Sequence, residues 1–88
     1  MPIATMSAAE RIARVLAGQH TSANAEGDEA SASRMVEQHW RDHLMDAVAV
    51  LKTLREPDER MAAAGDAAMW ERMVLAAIEQ TEPEKAVL

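Results

Sequence analysis

Pro57 does most to constrain how this chain folds, because it separates two stretches whose apolar residues recur every three or four positions. Upstream, Val36, Trp40, Leu44, Ala47, Leu51 and Leu54 form one continuous stripe at the helical period, flanked by Val48 and Val50. The pattern predicts a long helix from roughly Ser33 to Arg55. Pro57 ends it, since the residue before a proline is pushed out of the α region. Downstream, Asp58 can cap a short helix, Glu59 to Ala64, with Gly65 as a left-handed terminator. Asp66 then caps a further helix, Ala67 to Gln80, whose Trp70, Met73, Val74, Ala77 and Ile78 share one arc. The connection is short. It predicts an antiparallel helical hairpin around the Pro57 break, with Trp40 and Trp70 on facing stripes.

The N-terminal part adds one more helix. Ser7-Ala-Ala-Glu10 is a capping box: the serine oxygen can accept from the third amide on, and the glutamate can reach back. Ile12, Val15 and Leu16 follow at helical spacing, and Gly18 reads as a stop, which gives a helix from Ser7 to Ala17. A helix this short is unstable alone in water and must dock, here on the open side of the hairpin. Residues 19–33 are polar and small with no apolar periodicity, and read as a mobile linker in which Asp28, Ser31 and Ser33 are usable caps. Residues 1–6 read as a flexible N-terminus, with Met6 an alternative translation start, and residues 83–88 as a frayed tail. No alternating run of β-formers occurs. The expected fold is all-α: a single domain built as a small bundle of three to four helices.

The hydrophobic inventory sets how such a bundle can pack. The chain has 88 residues, no Phe and no Tyr, two Trp and seven Met, with alanine supplying much of the rest. Alanine favours helix at no side-chain entropy cost but buries little area. A thin core follows, and a homodimer that covers more surface is the expectation for so small a domain. The absence of cysteine excludes disulfides, thiolate metal sites and thiol nucleophiles, and fits a reducing cytoplasm. No apolar run reaches the ~18–20 residues that span a bilayer, and the N-terminus lacks a signal-peptide pattern. A net charge of −6 repels phosphate backbones. It argues against direct nucleic-acid binding and suits a protein partner with a basic surface.

The residues that could carry chemistry are few. His39 and His43 lie four apart, which on a helix puts both imidazoles on one side, as a metal pair requires; Asp46 continues that side as a third ligand. His20 could join only by folding back from the linker. His43 falls inside the apolar arc and His39 at its edge, so packing accounts for both and no metal site or cofactor is assigned. Glu56, Asp58 and Glu59 cluster about Pro57 as cap and helix N-terminal charges rather than an acid–base pair. No glycine-rich phosphate loop or nucleophile elbow is present, so no catalytic residues are assigned and the chain is not expected to be an enzyme. Arg11, Arg14, Arg34, Arg41, Lys52, Arg55, Arg60 and Arg72 are dispersed among acids and read as surface ion pairs. Met35, Met45, Met61, Met69 and Met73 supply flexible, polarizable surface suited to moulding against a partner.

The segment from Trp40 to Ile78 combines Trp40, the alanine-containing run 47–49, Leu54-Arg55-Glu56-Pro57, Met61, Ala64-Gly65, Trp70, Met73 and Ala76-Ala77. In this it resembles small uncharacterised helical proteins encoded in alphaproteobacterial genomes, often in prophage-like regions. The resemblance covers about half the chain and implies no activity, substrate or cofactor. The expected function is a small acidic helical protein–protein interaction module of phage or prophage origin. The alternative is an acidic nucleic-acid mimic of the anti-restriction or anti-CRISPR type, carried by Asp42, Asp46, Glu71 and Glu79.

Overall fold

A computed structural model describes the backbone of residues 3–24 and 29–81, with side chains over 3–20 and 33–81. All regular secondary structure in these residues is helical, so the chain is a small all-α bundle. Its elements are α1 (Ala8–Asn24), α2 (Glu29–His39), a 3₁₀ turn (Trp40–His43), α3 (Leu44–Leu54), α4 (Glu59–Ala64) and α5 (Ala67–Thr81). The chain divides into two compact units, Met1–Ala47 and Val48–Leu88, with the boundary inside α3. Trp40 belongs to the first and Trp70 to the second. Residues 25–28 of the expected linker and the expected tail 83–88 lie outside the described residues.

In the first unit α1 packs against α2 and the 3₁₀ turn. Ser7 caps α1 as expected, its Oγ accepting from the Glu10 amide at 3.1 Å. The other half of the capping box does not form: the Glu10 carboxylate instead accepts from Arg14 Nε at 2.9 Å. The buried side of α1 is Ala9, Ala13 and Ala17, spaced four apart. Ile12 and Leu16 are only half-buried and Val15 is exposed, so the expected apolar face was taken from the larger residues and the structure uses the smallest. Alanine lets the helices approach closely, which leaves the larger neighbours at the rim.

The expected stop at Gly18 is not used, and α1 continues to Asn24. Helix thus occupies residues 19–24 and 29–33 of the stretch read as linker. Packing does not demand glycine here: a Cβ built on Gly18 would meet Val36 Cγ2 at 3.8 Å, an ordinary contact. Glycine inside a helix is less stable than alanine by roughly 0.5–1 kcal/mol. Gly18→Ala should therefore raise stability by about that amount in urea denaturation; a loss would mean that the site is tighter than the geometry shows.

The long helix expected from Ser33 to Arg55 is interrupted. Trp40–His43 winds as 3₁₀, in which residues three apart eclipse one another. That alignment brings His39 Nδ1 to 3.2 Å from Asp42 Oδ2. Trp40 is held at the same point by two cations, Arg14 over its ring at 5.1 Å and Arg41 at 4.5 Å. Arg14 also bonds Glu37 on α2 at 3.1 Å. Its guanidinium pKa is raised by its hydrogen bonds, to Glu37 first and Glu10 second. One side chain thus ties α1 to α2 and to the turn.

The second unit carries the Val48–Leu54 part of α3, followed past the Pro57 break by α4 and α5. Its buried side chains are Val48, Leu51, Val74 and Ile78. The stripe read from sequence shifts here: Val48 is inside, while Leu54 and Met73 are exposed. Asp58 and Asp66 cap α4 and α5 as expected, accepting from the Met61 and Met69 amides at 2.9 and 3.0 Å. Gly65 is not left-handed. Its φ of −163° is extended backbone, and α4 simply stops with the Gly65 amide directed at Ala62 O. Trp70 Nε1 donates to Leu54 O at 2.7 Å. The indole thereby satisfies one of the carbonyls that a helix C-terminus leaves without an intrahelical partner. Arg55 pairs with Glu71 at 3.5 Å beside it.

Candidate functional site

Two hollows, one in each unit, carry the side chains of interest. In the second unit, α4 and the first turns of α5 enclose an apolar groove of about 250 Å³, whose principal lining is Pro57, Met61, Met69, Trp70 and Met73. Local chemistry places these residues there. Pro57 ends α3, the Asp58 cap starts α4 one residue later, and the Asp66 cap starts α5. Met69 and Trp70 thus fall in the first turn of α5 and Met73 one turn on. Trp70 is fixed by its bond to Leu54 O, so one wall is rigid while the three methionines can adapt. Arg72 Nη2 donates to Met69 Sδ at 3.5 Å and steadies one of them. Met61, Met69 and Met73 are all exposed, and the only ionisable lining group, Asp66, has its carboxylate engaged in capping.

Chemically the groove can hold apolar matter and little else. Its volume is below the ~300–1,000 Å³ usual for small-molecule sites, and convergent polar groups that would orient a substrate are missing from its lining. Sequence reasoning found these methionines as contact candidates but also counted Met35 and Met45. Met45 is highly exposed and outside the groove, and Met35 lies in the first unit.

In the first unit a cleft of about 290 Å³ is lined by Ala17, His20, Met35, His39, Asp42 and His43. It holds all three histidines of the chain. The continuation of α1 past Gly18 carries His20 to it, with the His20 and His43 ring centroids 5.9 Å apart and the planes tilted by 52°. His39 and Asp42 form the neighbouring pair. Asp46, expected as the third member of the histidine side, is exposed and does not line the cleft; Asp42 does, because the 3₁₀ turn changes which positions share a side. Among the described residues, no three acidic, histidine or cysteine side chains stand as a ready-made metal cage. Among the same residues no helix is long and apolar enough to cross a membrane.

Comparison with family models, with curated proteins and with solved structures returns no match for this chain.

Proposed function

We propose that this chain is a small, acidic, non-catalytic helical module that binds another protein in the cytoplasm. The groove of Met61, Met69, Trp70 and Met73 would take an apolar anchor side chain from a basic amphipathic helix of the partner. One observation carries the reading: three exposed methionines and a half-buried tryptophan line one hollow. Such a hollow matches the helix-in-groove mode of recognition, in which a few apolar anchors supply most of the energy. Charge chooses the partner's sign. In the stretch that frames the groove, Glu56, Asp58, Glu59, Asp66 and Glu71 outnumber Arg55, Arg60 and Arg72, so Lys and Arg beside the anchor would be attracted.

The nucleic-acid-mimic alternative draws on the same net charge. Glu71, one of the four acids assigned to it, is paired with Arg55, which reduces the negative field that a decoy requires. The prophage setting belongs to the proposal as well, and genes for phage structural or regulatory proteins beside this one would support it.

Selection of displayed helical peptides against the whole protein tests the groove reading. It should return Leu, Phe or Trp anchors flanked by Lys or Arg. In a Trp40→Phe background, Trp70 fluorescence should report their binding. Met69→Asp and Met73→Asp should each weaken the selected peptides about tenfold or more, within the range of anchor truncations. Met45→Asp should leave them unchanged. Equal binding by Met73→Asp and Met45→Asp would remove the groove from consideration.

A further inference from the structure

We propose that the cleft between α1 and the α2–3₁₀ segment binds one divalent transition-metal ion through His20 and His43, with His39 as the third imidazole. The proposal is independent of the peptide groove and lies in the other unit.

The first argument is metric. A zinc-type ion sits about 2.0–2.1 Å from each imidazole nitrogen. Each ring centre lies a further ~1.1 Å along that line. Two rings sharing one ion at tetrahedral or wider angles therefore have centres about 5–6 Å apart. The His20 and His43 centroids are 5.9 Å apart. A tilt of 52° shows that the two rings are not stacked face to face.

The second argument is the state of His39. Its Nδ1 lies 3.2 Å from an Asp42 carboxylate oxygen. In the neutral Nδ1–H tautomer, a carboxylate in that place accepts from Nδ1–H and Nε2 keeps its lone pair, the arrangement by which carboxylates orient metal-binding histidines. His39 and Asp42 both line the cleft that holds His20 and His43.

The third argument is the origin of the geometry. His20 arrives on a helix that continues through Gly18, and His43 closes a 3₁₀ turn whose opening residue is pinned by Arg14 and Arg41. Helical backbones therefore carry all three rings. As they stand, three ligands do not yet meet at one point. His20 and His43 form the primary pair, and the half-exposed His39 side chain turns in to complete the set, with water in the remaining position. A donor set of imidazoles suits zinc, nickel or copper rather than magnesium or calcium.

Titration calorimetry of the whole, untagged protein with zinc chloride and nickel chloride tests this. The expected result is one saturable ion per chain, weakened about tenfold or more by His20→Ala and by His43→Gln. Loss of the orienting carboxylate in Asp42→Asn should weaken it about tenfold, while Asp46→Asn should not. Zinc should raise the thermal midpoint, because an ion that binds only the folded state stabilises it. His43 is half-buried, so its variant could lose structure. His20 is exposed, and imidazole NMR of His20→Ala against the wild type keeps the test decisive. Equal heats for wild type and His20→Ala, absence of saturable binding, or zinc-induced shifts that spare the His20 and His43 rings would each overturn the assignment.

Discussion

Ala13→Leu is expected to destabilise the protein by about 1–3 kcal/mol, the usual cost of forcing extra carbons into a packed site. Ala13 is 0% exposed and lies midway along the seam of Ala9, Ala13 and Ala17, where α1 rests on α2 and the 3₁₀ turn. A leucine there has no empty volume to enter and must push α1 outward. That motion would stretch the Arg14 bond to Glu37 and its position over Trp40, so the cost is not confined to one residue. A chain of this size has little stability in reserve. Urea denaturation followed by circular dichroism measures the loss. Val15→Leu, on the exposed side of the same helix, should change stability by less than about 0.5 kcal/mol. Similar values for the two variants would mean that the alanine seam is not the packing surface.

Leu51→Ala is expected to cost more, about 2–5 kcal/mol, because it removes apolar contact and leaves a void. Among the described residues of the second unit, the buried side chains are Val48, Leu51, Val74 and Ile78, a thin core in which one lost leucine matters. Leu54→Ala is the internal comparison. Leu54 is 41% exposed, so truncation should cost well under half as much. The readout is Trp70 fluorescence in a Trp40→Phe background, since its indole is bonded to the Leu54 carbonyl at the end of the same helix. A larger loss for Leu54 than for Leu51 would place the stripe read from sequence, rather than the observed one, at the core.

The parts of this fold that depend on local chemistry were legible in the sequence. Ser7, Asp58 and Asp66 accept the amides expected of caps. Pro57 ends its helix, and α4 has the predicted bounds. The missed features depend on what packs against what. Gly18 stays helical because α1 packs against α2 and the 3₁₀ turn, a tertiary contact that local propensity does not contain. The alanine seam is not legible from periodicity, which weights large side chains, and Ile12, Val15 and Leu16 lie off the buried side of α1. The 3₁₀ turn coincides with a contact from Arg14, distant in sequence, and with the local His39–Asp42 pair.

Site residues divide in the same way. The contact methionines were visible individually, but their convergence required the α4–α5 geometry. His39 and His43 were visible as a pair. His20 was legible only as a group that could join by folding back, since its place needs a helix through Gly18; Asp42 was not legible as a cleft residue, since that needs the tighter winding.

That winding has an evolutionary corollary. Four residues of 3₁₀ helix advance the chain by about 480° and 8 Å, at 120° and 2.0 Å each. Five residues of α-helix advance it by about 500° and 7.5 Å. Trp40–His43 therefore delivers Leu44 and Ala47 at almost the azimuth and height that an unbroken helix would reach with one residue more. A single-codon insertion between His39 and Leu44 is the length change this chain should tolerate best: straightening the segment absorbs it, at the expense of the His39–Asp42 pairing.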